Sequence, residues 1–397
     1  MQPLKGLTVV TLEHAIAAPF ATRQLADLGA RVIKIERPSG GDFARGYDTR
    51  VRGLASHFVW TNRSKESLTL DVKQPRAAAL LRQLIVDKAD VVVQNLAPGA
   101  AARLGVSYEA LRERRPDLIV CDISGYGDDA KAPGPYRDKK AYDLLIQSES
   151  GFVSVTGTPE TPSKAGLSIA DIAAGMFAYS NILAALLQRH LAGAGRRIDL
   201  SMLEAMGEWM GYPMYYAFEG AEPPPRAGAA HATIQPYGPF PTGDGKTVML
   251  GLQNEREWLH FCEVVLRRSE LATDSRFAGN ARRLANRDNL RAIIVEVFAA
   301  LSSQQVVQRL EDAQIANAQV RDLAGLWLHE QLAARGRWRE VSTPAGVVPA
   351  LLPPGSWDDG DPRLDAVPGL GEHTEAILAE LGLDAAAIVE LRAARAI

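Results

Sequence analysis

Leu7-Thr8-Val9-Val10-Thr11-Leu12, a helix-spaced segment from Phe20 to Leu28, then Gly29 and Arg31-Val32-Ile33-Lys34-Ile35 decide the fold. The two outer runs are short, β-branched and apolar, the pattern of strands buried on both faces. The segment between them repeats at helical period and ends on a glycine suited to a C-cap. The same unit returns further on. Pro75 to Lys88 puts Leu80, Leu81, Leu84 and Ile85 on one helical face ahead of Val91-Val92-Val93. Tyr108 to Arg114 reads as helix ahead of Leu118-Ile119-Val120-Cys121-Asp122-Ile123. Strand–helix–strand alternation with short connections predicts an α/β fold, a mostly parallel sheet with helices on both faces.

Beyond this region Ile169 to Leu191 reads as one long apolar helix and Met202 to Ala217 as another. The second carries Trp209, Met210, Tyr215 and Tyr216, side chains expected to be buried against a partner domain or subunit. Gly220-Ala221-Glu222-Pro223-Pro224-Pro225 breaks the pattern as a linker. Gly238 to Leu252 then reads as a hairpin turning at Gly243-Asp244-Gly245, with helices at 257–266, 287–301 and 303–312. A second Pro/Gly-rich stretch, Val348 to Pro362, leads into helices at 374–381 and 385–393.

Composition excludes several classes. The 397 residues hold 44 Lys+Arg against 47 Asp+Glu, a net charge of −3, so there is no polyelectrolyte footprint for nucleic acid. Hydrophobic residues at 47% and charged residues at 23% fit an ordinary globular chain. Two cysteines, Cys121 and Cys262, cannot build a disulfide framework or a four-cysteine zinc site. The opening MQPLKGLTVV lacks a long apolar signal region, and no uncharged apolar run approaches the about 18 residues of a membrane span. A cytoplasmic protein without a membrane association is expected.

The first strand–turn–helix sits where a dinucleotide fingerprint belongs, but its turn, Glu13-His14-Ala15-Ile16-Ala17-Ala18-Pro19, has no glycine. The helix start behind it still offers N–H groups to an anion. The seven histidines are scattered, so no metal is expected, and no GxSxG elbow marks a serine hydrolase. Asp171 stands out at the entrance to the long apolar helix, in Ser168-Ile169-Ala170-Asp171-Ile172-Ala173-Ala174-Gly175-Met176. It reads either as an N-cap or first-turn acid, or as a carboxylate nucleophile with small neighbours that leave room for substrate. Spacing leaves both open. Arg37 follows the second strand at the edge where α/β sheets bind ligands, and Arg103 lies eight residues after Asn95. Each alone is most often a solvated charge; converging, they would clamp a phosphate.

At these residues the sequence resembles the CaiB–BaiF, or class III, CoA-transferases over nearly its whole length. The marks are Pro3-Leu4-Lys5-Gly6-Leu7, Ala26-Asp27-Leu28-Gly29-Ala30, Lys34-Ile35-Glu36-Arg37-Pro38 with Gly41-Asp42, and Asn62-Arg63-Ser64-Lys65. Asn95-Leu96-Ala97-Pro98-Gly99, Ser124-Gly125-Tyr126-Gly127, the Asp171 segment, Pro236-Tyr237-Gly238 and Leu370-Gly371-Glu372-His373-Thr374 complete them. The stretches around His14, Arg45-Gly46-Tyr47-Asp48 and Ser56-His57-Phe58 look most like the branch that moves CoA between the C1 and C4 carboxyls of mesaconyl-CoA.

The resemblance implies a Rossmann-like large domain built from both chain ends, a small α+β domain, and an interlocked homodimer. Residues 1–219 would form the N-terminal part of the large domain and 220–235 a linker. Residues 236–330 would form the small domain, and 331–397 a linker and the return. It implies Asp171 as the catalytic residue and His14, Arg37, Leu70, Asn95, Leu96, Ala100, Arg103 and Lys140 as holders of CoA. Tyr142 and Ile16 would lie near the acyl group. No permanently bound cofactor is implied, only a CoA thioester and a carboxylic acid as substrates. Two departures point away from oxalate or formate: Ile16 replaces a glutamine, and Gly251-Leu252-Gln253-Asn254-Glu255 replaces a run of glycines.

The activity so implied is CoA transfer between short, branched dicarboxylic acids through an aspartyl anhydride and thioester, with mesaconyl-, succinyl-, itaconyl- or citramalyl-CoA as candidates. A second carboxylate needs a cation or polar partner. Arg45, Arg50, Arg52 and His57 share the loop after the second strand. Two alternatives remain. An α-methylacyl-CoA racemase would carry a histidine before its aspartate, where this chain reads Ala141-Tyr142-Asp143. A catalytically idle CoA-binding scaffold would keep the site but form no acyl-enzyme.

Overall fold

The computed structural model describes residues 2–355, 358 and 360–397. Its first elements are β1 (Thr8–Leu12), α1 (Ala17–Asp27), β2 (Arg31–Glu36), α2 (Ser56–Thr61), β3 (Lys65–Thr69) and α3 (Pro75–Lys88). Next come β4 (Val91–Gln94), α4 (Ala100–Leu104), α5 (Tyr108–Leu111), β5 (Ile119–Ser124), α6 (Asp143–Glu149) and α7 (Phe152–Val155). They are followed by α8 (Ile169–Ala192), β6 (Arg197–Ser201), α9 (Met202–Trp209), α10 (Gly211–Tyr216), β7 (Tyr237–Pro241) and β8 (Thr247–Gly251). After these come α11 (Glu255–His260), α12 (Asn280–Ala285), α13 (Arg287–Ala299), α14 (Ser303–Asp312) and β9 (Ala316–Gln319). Last are α15 (Leu323–Trp327), α16 (Glu330–Ala334), β10 (Trp338–Thr343), β11 (Gly346–Leu351), α17 (Thr374–Glu380) and α18 (Ala385–Ala393).

The chain divides into two compact units. One comprises Met1–Phe152, Ala165–Gly211 and Ala334–Ile397, the other Val153–Lys164 and Tyr212–Ala333. The second unit thus begins earlier than the expected 236 and takes in a short segment that the sequence reading left in the first.

The first unit is built on a six-stranded parallel sheet in the order β3-β2-β1-β4-β5-β6. Alternate residues of the central strands feed two cores. Val9, Val91, Val93, Ile119 and Cys121 pack with α1, α8 and α9 on one face. Val10, Leu12, Val92 and Val120 pack with α3, α17 and α18 on the other, so the C-terminal end of the chain closes the domain its beginning opens. The Rossmann-like expectation holds. Both edge strands, Lys65-Glu66-Ser67-Leu68-Thr69 and Arg197-Ile198-Asp199-Leu200-Ser201, escaped the sequence reading because polar residues interrupt the apolar run.

Helices that follow parallel strands run back against them, so α1 and α8 both start at the carboxyl edge of the sheet. They pack through small residues: Ala17, Ala18 and Ala21 against Ala173, Ala174 and Ala178, all buried. A Cβ on Gly175 would lie 2.7 Å from the Ala17 carbonyl oxygen and 2.9 Å from the Phe20 ring. Gly175 therefore sets helix spacing, which corrects the expectation that it leaves room for substrate. At the far end Arg189 holds the amino edge, pairing with Asp90 at 3.2 Å and donating to the Asp90 carbonyl at 3.3 Å. By length and composition α8 is apolar enough to cross a membrane, contrary to the sequence expectation; here it packs on α1, α6, α9 and β5.

The second unit has its own core, formed where the antiparallel sheet β7-β8-β9 meets α11, α13 and α14 around Phe240, Trp258, Phe261, Phe277 and Phe298. The helix expected over 202–217 is two, α9 and α10. Pro213 lacks an N–H and its ring clashes with the carbonyl four residues back. Within the expected linker Val348–Pro362, residues up to Leu351 belong to β11, where Pro349 is tolerated because the two-stranded sheet leaves both strands at an edge. Residues 356, 357 and 359 of that stretch, like Met1, lie outside the described residues.

Candidate active site

The strand order reverses direction between β1 and β4, and ligands of open α/β sheets bind beyond the carboxyl ends of the strands at such a point. Two loops leave there, Glu13-His14-Ala15-Ile16 and Asn95-Leu96. They are stitched together: the Asn95 side chain accepts from the His14 N–H and donates to the His14 carbonyl, both at 2.9 Å. Ala15 takes a left-handed conformation with φ 60, and its N–H donates to Asp42.

Beneath these loops lies a fully buried ionic cluster. The Lys34 ammonium meets Asp42 at 2.7 Å and Glu13 at 3.3 Å, and Lys65 meets Glu13 at 2.7 Å. Thr11 and Thr22 donate to the other Glu13 oxygen. Burial alone would raise Glu13, but the two ammonium groups outweigh it and hold the carboxyl down at about 2. Glu36 extends the cluster by accepting from Ser67 and the Asp42 N–H and pairing with Arg45 at 2.7 Å. In the sequence Lys34, Glu36, Asp42 and Lys65 stood only as marks of the resemblance, and Arg45 as a partner for a substrate carboxylate. The available signal was Lys34, a charge set between Ile33 and Ile35 in a buried strand.

Above the cluster runs a ladder of rings. His14 stacks on Phe43 at 5.2 Å, Phe43 meets Tyr47 at 5.9 Å, and Tyr47 meets the edge of His57 at 5.5 Å. The His14 Nδ1 is buried without a hydrogen bond, 3.9 Å from Asp42, and burial pulls the imidazole below its usual pKa. His57 Nδ1, likewise buried and unbonded, faces Asp48 at 3.8 Å. Asp48 is itself held by the Ser56 hydroxyl and N–H.

Asp171 occupies the first turn of α8 at the same edge. It is not the N-cap, which is Ser168, and its carboxylate has no hydrogen bond or ion pair among the described residues. Burial, followed by the nearby Asp143 carboxylate, raises it to about 7. Tyr47 is pushed up to about 12 by its own burial and by Asp42, Asp171 and Tyr142, which places phenol and carboxylate in one neighbourhood. The α8 start offers little to an oxyanion, because the N–H groups of Ile169, Ala170 and Ile172 are already engaged. The α1 start is open: Ile16 gives no side-chain cap, and the Ala17 and Ala18 N–H groups have no partner among the described residues.

The other expected residues fall as follows. Arg37 is exposed and donates twice to the Gly41 carbonyl, at 3.2 and 2.9 Å. Arg103 and Lys140 are exposed, while Leu96 and Ala100 are half-buried beside α4. The Leu70 side chain is sealed in the core, leaving only backbone to face a ligand. Ile16 is buried at the end of the loop after β1, and Tyr142 is 66% exposed. The Arg45 guanidinium lies 3.7 Å over the Phe58 ring and is bound to Glu36, so it serves the frame. Two neighbours of Asp171 were given no role from the sequence, Tyr47 and Asp143. Among the described residues no three metal-ligating side chains come together.

A parallel α/β domain with an unpaired, half-buried aspartate at the carboxyl edge of its sheet can serve an enzyme that uses a carboxylate nucleophile. The model of CoA-transferase family III matches residues 4–374, and this chain belongs to that family. It is a CoA-transferase, an enzyme that uses a CoA thioester. Among its relatives is a succinate–glutarate CoA-transferase of Agrobacterium fabrum, 35% identical over 96% of both chains. A succinyl-CoA:mesaconate CoA-transferase of Haloarcula marismortui is 32% identical over 97% of this chain and 98% of that one. A CAIB/BAIF family protein of Brucella suis matches in structure with a TM-score of 0.82 and 34% identity, over 96% of this chain and 99% of that one.

Proposed function

We propose that this enzyme moves CoA between the carboxylates of short dicarboxylic acids, with Asp171 as the acyl acceptor. The observation that carries the reading is the Asp171 carboxylate, half-buried, unpaired and raised to about 7 at the switch-point edge. Its oxygen attacks the thioester carbon, the C–S bond breaks and the electron pair leaves on the CoA sulfur, giving an aspartyl anhydride. The thiolate then attacks the aspartyl carbonyl and frees the first acid. The acceptor carboxylate attacks the resulting enzyme–CoA thioester, and the thiolate returns to the new acyl group. Every exchange is between activated acyl groups. The free N–H groups of Ala17 and Ala18 would face the oxyanion. Arg37, Arg103 and Lys140 would meet the CoA phosphates, with His14, Leu70, Asn95, Leu96 and Ala100 lining the path.

The diacid class is supported by the two relatives described above, which pair succinate with glutarate or mesaconate, and by the loop after β2. Of its basic side chains, Arg45 is committed to Glu36, and His57 is the one that meets the Tyr47 ring. His57 would hold the second carboxylate, with Ile16 and Tyr142 bounding the acyl chain. A panel of acyl-CoA donors and free acids with mass-resolved products tests this, including mesaconyl-CoA alone for C1–C4 transfer. Succinyl-CoA should outrun butyryl-CoA, and His57→Gln should narrow that preference. A wild type that prefers hexanoyl-CoA ends the diacid reading.

Apolar side chains left exposed within each unit, Leu187 and Leu191 on α8 and Tyr212, Met214 and Tyr215 on α10, support an interlocked homodimer. Light scattering on the purified protein tests it. The free buried Cys121 and Cys262 fit a reducing compartment such as the cytoplasm.

A further inference from the structure

The α8 start has no cap of its own: Ser168 makes no side-chain hydrogen bond to it. The cap comes from another helix. Asp143, the first residue of α6, accepts from the Ala170 N–H at 2.8 Å with one carboxylate oxygen. Its other oxygen accepts from Gln147 at 2.7 Å, one turn along α6. Gln147 is fully buried and is itself anchored, its carbonyl oxygen accepting from the Ala165 N–H at 2.9 Å. Asp143 is thus locked at both oxygens, with no cation paired to it among the described residues. It stands one residue from the backbone of Asp171. Among the described residues the titratable groups that interact electrostatically with Asp171 are Asp143 from α6 and Tyr47 from the loop after β2, and Tyr47 is also acted on by Asp42 and by Tyr142 just before α6.

We propose that Asp143 is a positioning residue that clamps the turn carrying Asp171 and keeps a second negative charge beside it, so that acylation of Asp171 relieves a repulsion. This rests on Asp171 being the acyl acceptor. When its oxygen bonds to the thioester carbon and the C–S bond breaks, the negative charge leaves on sulfur. A neutral acyl-aspartate then stands where a carboxylate felt the charge of Asp143. Asp143 therefore favours the acylated over the free enzyme without touching substrate, and makes the free carboxylate a more basic nucleophile.

The test mixes full-length enzyme with succinyl-CoA alone and follows single-turnover CoA release and the amount of acyl-enzyme against pH. Wild type should show a midpoint near 7. Asp143→Asn, and Asp143→Ser whose hydroxyl can still cap Ala170, should lower the midpoint by about one pH unit and the acyl-enzyme equilibrium about tenfold. Gln147→Met, which loosens the clamp but keeps the charge, should leave the midpoint in place. Two uncharged Asp143 variants with the wild-type midpoint and acyl-enzyme yield overturn the proposal. So does a Gln147→Met midpoint displaced as far as theirs. Asp171→Asn that still releases CoA overturns the parent reading instead.

Discussion

Two sets of buried charges lie close together in the first unit and are treated in opposite ways. In the cluster of Glu13, Lys34, Glu36, Asp42, Arg45 and Lys65 every charge meets an opposite one and most remaining lone pairs accept hydrogen bonds. Among the described residues nothing neutralises the Asp171 carboxylate, and a like charge stands nearby. The first arrangement fixes loop geometry; the second leaves a carboxylate whose charged form burial disfavours. Paired burial marks the frame, and unpaired burial marks the chemistry.

The contrast is broken most severely at its unpaired member. Asp171→Ala should lower steady-state transferase turnover about 10⁴-fold, as loss of a nucleophile does, while CoA binding measured by calorimetry persists. Substantial residual turnover refutes the nucleophile. The paired member should respond in stability instead. Lys65→Met leaves Glu13 short of an ammonium partner in a fully buried site and should cost about 3–5 kcal/mol in urea unfolding at pH 7. A loss within experimental scatter would make the cluster ornamental.

A pH series sharpens the same contrast. Because the folded carboxyl of Asp171 sits at about 7, above its unfolded value, the folded state binds the extra proton between about 4 and 7. Stability from this group is therefore lost as pH rises through that window. Asp171→Asn should gain about 2 kcal/mol over wild type at pH 8, with the gap closing below pH 4. A gap independent of pH would contradict it. Smallest of all, Arg103→Ala should raise the KM for CoA esters about tenfold with little change in kcat, since an exposed phosphate contact binds ground and transition states alike. An unchanged KM removes Arg103 from the CoA path.

The central strands were legible because a parallel sheet covered on both faces demands unbroken apolar runs, and Val91-Val92-Val93 can hardly be read otherwise. The edge strands were not. Lys65 and Ser67 in β3 point their polar groups into the ionic cluster, so the strand reads as a surface stretch until its partners 52 and 31 residues away are known. Asp171 was legible as a candidate and undecidable as a nucleophile, because what distinguishes it is the lack of partners, a property of three-dimensional surroundings. Asp143 was hidden for a related reason. Its task is carried out across 27 residues of chain, on a backbone amide that no residue pattern advertises.

Gly175 makes α8 a lever. The atom a new methyl would strike is a backbone oxygen of α1, which no rotamer change can move aside, so the helix would have to swing as a rod. Its far end is held by Arg189 on Asp90. At about 1.5 Å per residue, Gly175 lies about 21 Å from that pivot and Asp171 about 27 Å. A displacement at the glycine is therefore magnified about 1.3-fold at Asp171, since 27/21 is about 1.3. Half an ångström is about the tolerance of a reacting constellation. A single hydrogen on Cα, one helical turn away from Asp171, thus governs where the Asp171 carboxylate stands.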